Sequence, residues 1–512
     1  MGAVPTPSHT HDLHRSDAKT TPAADVTEAD VVVIGGGPVG ENVAARAVRG
    51  GLSAVIVEAE LLGGECSYWA CMPSKALIRP TQALAAARRL PGAREAVTGS
   101  VDAAAVLARR DSFTSGWDDG GQVEWAVGAD ITVVRGHGRV AGEKRVEVTA
   151  PDGTTTTIAA RRAVVVATGS TPSLPPVEGL RDTPHWGSRE ATSAARVPAS
   201  LVVLGAGVVG CELAQAFARL GSTVTLVASS TLLSKNEPRA GELVADALRE
   251  EGVDVRLHTR AVSVSRESSD EDDDGDGPVT LVLADGTALV ADELLVATGR
   301  RPAVGDVGLD TVGLPTDAAL AVDTTGAATG LAQGSALDQG GQPWLYAAGD
   351  VTGDAPLTHM GKYVARAVGD VIAARARGEQ VHDGAWGAHA TTAQQQAVTQ
   401  VTFTDPEVTS VGLTAAQAER AGLRTRVVDL DIAVAGSALH ADGYTGWARM
   451  VVDEDRRVVV GVTFVGPDTA ELLHSATVAV VGEVPLERLW HAVPAYPTIS
   501  EVWLRLLEAY GL

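Results

Sequence analysis

From Asp30 the chain reads DVVVIGGGPVGENVAARAVRGGLSAVIVEAE: an unbroken apolar run, a glycine turn, an alanine-rich stretch with helical spacing, and a second apolar run closing at Glu58. A strand buried on both faces is continuously apolar, whereas the helix beside it keeps a polar side, so this pattern predicts a strand–helix–strand unit. LVVLGAGVVGCELAQAFARLGSTVTLVAS, beginning at Leu201, repeats the plan. Three further apolar runs end in glycine, VVVATGS at 164–170, LLVATGRRP at 294–302 and YAAGDV at 346–351, and predict returns of the chain to the same two sheets. Beyond about residue 394 the texture changes. QAVTQVTFT, WARMVVDE and RRVVVGVTFVG read as strands, TAELLHSATVAVVG and SEVWLRLLEAY as helices, and no glycine fingerprint joins them, which predicts an appended α+β domain.

The polar interruptions carry information too. RESSDEDDDGDGP at 266–278 is too acidic to pack and is expected to join two strands of a hairpin, and TTGAATGLAQGSALDQGGQ at 324–342 is expected to be an exposed insertion. Residues 1–29 are polar, hold no apolar run of the signal-peptide kind, and read as a disordered tail; His9, His11 and His14 belong to it.

Gly35, Gly37 and Gly40 fit GxGxxG, the spacing that lets a pyrophosphate approach the backbone at the positive end of a helix, and Glu58 lies 23 residues after Gly35, where a carboxylate accepts ribose hydroxyls. Gly205, Gly207 and Gly210 repeat the spacing 170 residues later. Two such units imply two adenine dinucleotides.

The 512 residues carry 41 Lys and Arg against 64 Asp and Glu, a formal charge of -23, which argues against nucleic acid and anionic membranes as partners. Three cysteines do not make the staple network of a secreted scaffold, and a cytoplasmic location is expected. Cys66 and Cys71 lie five positions apart in GGECSYWACMPSK, whereas Cys211 stands alone and reads as packing. For the pair, three readings compete: buried small hydrophobes, a zinc site that lacks a second ligand pair nearby, or a redox couple next to a dinucleotide unit.

GGECSYWACMPSK resembles the redox signature of the class I pyridine nucleotide-disulfide oxidoreductases, the flavoproteins that include dihydrolipoamide dehydrogenase, glutathione reductase and mercuric reductase. The likeness spans residues 30 to 512, with FTDPEVTSVGLT at 403–414 similar to the entry of their dimerisation domain and YAAGDV to their second FAD motif. It implies an α/β fold of two Rossmann-like dinucleotide-binding domains plus a C-terminal α+β dimerisation domain: 30–173 and 299–393 for FAD, 174–298 for NAD(P), and 394–512 for dimerisation. It further implies that Gly35, Gly37, Gly40, Glu58, Gly138 of the GHG turn, Thr168 and Gly169 hold FAD, with Asp350 at the ribitol and Leu357, Thr358 and His359 close to the flavin. Lys75 would approach the flavin and pair with Glu212; Gly205, Gly207, Gly210, Val262 and Gly299 would line the nicotinamide cofactor's site. Cys71 would face the flavin and Cys66 would exchange with substrate, with Trp69 between them screening the outer thiol or selecting a bulky substrate.

Two departures shape the functional expectation. Ala228 stands where NAD binders carry an acid, so NADPH is expected, with Ser229, Ser230 and Lys235 as phosphate contacts and NADH as the alternative. AYPTISE at 495–501 keeps Glu501 but has Tyr496 where the disulfide reductases have histidine, and a phenol near pKa 10 seldom accepts a proton that an imidazole near 6.5 shuttles. Mercuric reductases resemble this chain in that tyrosine, although their extra C-terminal cysteine pair is missing from the ending EAYGL. The expected protein is a homodimeric enzyme, Tyr496 and Glu501 of one chain completing the partner's Cys66 site, that passes electrons from NAD(P)H through FAD and the Cys66–Cys71 pair to a disulfide or other small-molecule acceptor, with no resident metal. The alternatives are a quinone, dye or mercuric-like metal-ion reductase and a non-catalytic redox-sensing flavoprotein.

Overall fold

The computed structural model describes residues 15–17, 19–267, 277–331, 337–338 and 340–512. Its first sheet has seven strands among these residues. Ile131–Arg135, Ala54–Glu58, Glu28–Ile34 and the C-terminal half of Thr155–Val166 run parallel, and Leu345–Ala347 returns late in the chain to pair beside Thr155–Val166. The other half of that long strand carries the antiparallel strands Arg145–Thr149 and His137–Val140. Val31, Val32 and Val33 are wholly buried, as a continuously apolar strand requires, because each face of the sheet is covered. On one face Val31 and Val33 meet Val43, Ala44 and Ala47 of helix Pro38–Arg49 and Val364, Val368 and Val371 of helix Thr358–Ala376.

The second unit is a parallel sheet in the order Asp254–Arg256, Thr223–Val227, Ser200–Leu204, Glu293–Val296, with helix Val208–Arg219 after its glycine turn. An antiparallel sheet of Ala261–Arg266, Val279–Leu283 and Ala288–Ala291 lies beside it. The chain leaves the first unit through Ser170–Pro172 and returns through Arg300–Pro302, and these two crossovers pair as an antiparallel ribbon. The C-terminal part is a five-stranded antiparallel sheet backed by helices Leu473–Val481 and Val502–Tyr510. The fold is therefore α/β, two dinucleotide-binding units followed by an α+β domain. Among the described residues no helix is long and apolar enough to cross a membrane.

Three expectations change. Of the proposed tail, residues 15–17 and 19–29 are packed against the body: the Ser16 amide donates to Asp119 Oδ1 (2.9 Å), the Thr21 amide to the Val133 carbonyl (2.8 Å), and the first strand opens at Glu28. Residues 1–14, with the three histidines, lie outside the described residues. The 324–342 segment is not simply an exposed insertion, since Thr325 and Ala327 are buried and Ala327 bridges to Tyr346. Gly138 is in strand His137–Val140 rather than in a turn; a methyl there would meet Val57 Cγ1 at 3.0 Å. The strands flanking the acidic run pair with Arg266 opposite Val279, while residues 268–276 lie outside the described residues.

Candidate active site

Each glycine turn is shaped by close backbone packing. Gly35 adopts φ 102°, and a methyl on Gly40 would lie 1.9 Å from the Gly35 carbonyl oxygen; a methyl on Gly210 would lie 2.1 Å from that of Gly205. Gly207 has nothing within 4 Å of such a methyl, leaving open space at the helix N-terminus. Glu58 ends its strand with Oε2 accepting the Gly36 amide (2.6 Å) and Oε1 the Glu60 amide (2.7 Å), and burial raises its pKa. In the first turn of the helix after Gly37, Glu41 is buried with Oε1 unpartnered, and burial pushes its carboxyl up to about 7. A glycine cradle at a helix N-terminus, with a carboxylate at the end of the neighbouring strand, fits the ADP half of FAD.

The cysteine segment follows directly. Gly63 and Gly64 take positive φ (111° and 56°), turning the chain into the short helix Gly64–Tyr68, which carries Cys66. Cys71 is the first residue of helix Cys71–Arg88, and its Sγ lies 3.2 Å from Oγ1 of Thr358, itself the first residue of helix Thr358–Ala376. The sulfur thus sits at two helix N-termini. Both cysteines are free thiols, and each perturbs the titration of the other. The neighbouring Cys71 sulfur and burial raise the Cys66 thiol, while the Cys66 thiol, the Thr358 hydroxyl and the Lys75 ammonium lower Cys71. Negative charge in the reduced pair therefore collects on Cys71.

Lys75, one turn along, places Nζ 2.7 Å from Glu212 Oε2 and 4.8 Å from the centre of the Phe403 ring. Glu212 is buried and also accepts the Phe403 amide (2.8 Å) through Oε1, so one carboxylate ties the cysteine helix, the second glycine helix and the C-terminal domain together. Asp350 accepts from Ser170 Oγ (2.7 Å), Thr168 Oγ1 donates to the Ala303 carbonyl (2.7 Å), and Gly169 takes φ 74°. Leu357 precedes Thr358 as the helix cap, whereas the His359 ring nitrogen lies 2.7 Å from the Thr399 carbonyl oxygen. Gly299 takes φ 127° at the returning crossover, and Val262 is exposed on its strand. Ala228 is buried, with Ser229, Ser230 and Lys235 exposed beyond it.

Tyr496 and Glu501 are elsewhere. Tyr496 is 77% exposed, beside the exposed Val493, while Glu501 is buried, its Oε1 accepting from Arg505 (2.6 Å) and its Oε2 unpartnered. Among the described residues no hydrogen bond or ion pair joins either to Cys66 of the same chain. The residues between them, with the His440–Asp468 pair (2.5 Å), line a cleft of about 480 Å³.

Trp69 is buried with Leu61, Tyr68 and Trp117. The sequence reading passed over Glu65, Arg189 and Lys362. Lys362 places its charge near both Glu41 and Cys66. Glu65, directly before Cys66, was the available signal, since a carboxylate beside a thiol calls for a cation.

The sequence pattern described as "Pyridine nucleotide-disulphide oxidoreductase" matches residues 29–397, and that family's "dimerisation domain" matches residues 398–506. The chain belongs to the pyridine nucleotide-disulphide oxidoreductase family, FAD-dependent enzymes that work with a pyridine nucleotide. It is 33% identical over 500 residues to a mercuric reductase of Acidithiobacillus ferrooxidans (95% of this chain, 83% of the relative). It is 31% identical over 491 residues to a dihydrolipoyl dehydrogenase of Haloferax volcanii (94% and 96%). The fold is shared with the HOCl-induced flavoprotein disulfide reductase RclA of Escherichia coli, in its Cu(II) complex, at a TM-score of 0.76 and 22% identity over 94% of this chain and 99% of that one. The match to the dimerisation domain supports a homodimer.

Proposed function

We propose that this enzyme reduces a small disulfide at the expense of NADPH in the cytoplasm, with Cys66 as the sulfur that meets the substrate. The first unit and its returning strand, through Gly35, Gly37, Gly40, Glu58 and Asp350, would hold FAD; the second, through Gly205, Gly207 and Gly210, would hold the nucleotide. Held there, FAD would supply the two-electron chemistry that links a pyridine nucleotide to the sulfur pair. Cys71 keeps its thiolate because two helix N-termini, Thr358 and Lys75 favour the charge there. Glu212 orients Lys75 and supplies its counter-charge. Cys66, the protonated partner, must lose its proton before it attacks a substrate disulfide, and Tyr496 and Glu501 of the partner subunit would border that thiol.

The observation that carries this reading is the placing of Cys71 Sγ at the start of its helix and 3.2 Å from Thr358 Oγ1, the first residue of a second helix, with Cys66 five positions before it. The identity with mercuric reductase and the tyrosine at 496 favour a second reading, reduction of a thiophilic metal ion by the same two sulfurs.

Anaerobic titration with NADPH, followed by an acceptor panel of disulfides, quinones and mercuric ion, separates these. Two thiols per chain are expected to become alkylatable on reduction, and Cys66→Ser is expected to abolish disulfide turnover while sparing quinone turnover. Equal loss of both activities would refute the assignment of Cys66. NADPH is supported by Ala228 with exposed Ser229, Ser230 and Lys235 beside it. Lys235→Glu is then expected to raise KM for NADPH about tenfold, by removing one cation–phosphate contact, and to leave NADH unaffected.

A further inference from the structure

The helix that carries Cys66 is also held by residues from outside the first unit. Arg189, on helix Ser188–Ser193 leading into the second unit, donates to both oxygens of Glu60 (3.1 and 3.0 Å) and to Glu65 Oε1 (2.7 Å). Its guanidinium carbon lies 3.9 Å from the centre of the Trp69 ring. Thr192, one turn on, donates from Oγ1 to the Trp69 carbonyl (2.8 Å), and the wholly buried Arg110 holds the carbonyls of Thr192 (2.7 Å) and Ala194 (2.9 Å). The returning crossover contributes Arg300, 3.9 Å from Glu65 Oε1, which also donates to Ser170 Oγ (2.7 Å), the hydroxyl bonded to Asp350. Helix Ser188–Ser193 therefore bears on both Glu65, the residue before Cys66, and Trp69, two before Cys71, and the returning crossover bears on Glu65.

We infer that Arg189 is a positioning residue for the sulfur pair: by clamping Glu65 and Trp69 it fixes the segment between Cys66 and Cys71 in the form that closes to a disulfide. The inference rests on the redox role proposed above for that pair. A disulfide needs its two Cβ atoms within a narrow distance range, and a reduced segment already held there forms one at a higher effective concentration than a loose one. A clamp of this kind makes the disulfide harder to reduce. Arg189 suits the task because a planar guanidinium bridges two carboxylates and stacks on an indole at once, which an ammonium does not.

The exchange that tests it is the Cys66–Cys71 disulfide plus two glutathiones giving two cysteine thiols plus glutathione disulfide. One S–S bond breaks, one forms, two electrons pass from glutathione sulfur to cysteine sulfur, and the two glutathione thiol protons end on the cysteines. FAD-loaded wild type, Arg189→Met, Arg189→Lys and Glu65→Gln are equilibrated anaerobically in glutathione buffers of graded ratio, quenched by alkylation and counted for thiols by mass. Arg189→Met and Glu65→Gln are expected to shift the equilibrium toward the dithiol about tenfold, which is about 30 mV for a two-electron couple, with Arg189→Lys between them and wild type. Thermal midpoints are measured in parallel. An Arg189→Met enzyme with the wild-type thiol equilibrium and only a lower thermal midpoint overturns the inference. A wild type that stays dithiol at every ratio overturns both this inference and the reading beneath it.

Discussion

Thr358 Oγ1 lies 3.2 Å from Cys71 Sγ, and each residue opens a long helix, so the hydroxyl and two helix dipoles converge on one sulfur. All three favour the thiolate over the thiol.

Removing the hydroxyl isolates its share. In a Cys66→Ser background, where Cys71 titrates alone, Thr358→Val is expected to raise the Cys71 pKa by about one unit. Thiolate absorbance against pH reads this directly, and superimposable curves would show that the hydroxyl takes no part.

The Lys75–Glu212 pair predicts an asymmetric response. Glu212→Gln retains an acceptor for the Phe403 amide but leaves Lys75 without its counter-charge, whereas Glu212→Ala strands both. With Lys75 partly exposed, the glutamine variant is expected to lose about 1 kcal/mol of stability and the alanine variant about 3 kcal/mol in urea unfolding. Equal losses would mean that the Phe403 contact contributes nothing.

Gly40→Ala is expected to yield protein that loses most of its FAD, because the added methyl would lie 1.9 Å from the Gly35 carbonyl and force the cradle open. The ratio of flavin to protein absorbance after gel filtration checks it. Gly121→Ala, in helix Gly120–Gly128 where nothing lies within 4 Å, serves as the control for alanine at a helical glycine.

Glu407 predicts a pH dependence of stability. It is buried near Asp468, Asp405 and Glu471, and burial above all pushes its carboxyl up to about 7 from 4.5. A raised folded-state pKa means that its contribution is fully present below the unfolded value and is lost as pH rises through about 7. Between pH 5 and pH 8 the wild type is therefore expected to lose about 2 kcal/mol more than Glu407→Gln in urea unfolding. Parallel pH profiles for the two proteins would exclude the carboxyl as the cause.

Local pattern determined much of this protein by itself. The two strand–glycine–helix units, the change to an α+β texture near residue 394 and the sulfur pair beside the first glycine turn were all legible, because continuous apolar runs, glycine spacing and short-range cysteine spacing are properties of neighbouring residues. Contacts between distant residues were not. Arg189 looks like any surface arginine until helix Ser188–Ser193 comes against Glu65, 124 positions earlier. Ser16, read as tail, becomes structural because Asp119, 103 positions away, presents a buried acceptor. The 324–342 segment reads as an exposed insertion, yet Leu345–Ala347 entering the first sheet gives Ala327 a partner and buries it. Pattern fixes which faces must be covered; only the tertiary structure decides which charged or polar side chains are brought there, since pairing a buried charge depends on its spatial neighbours and not on its place in the chain.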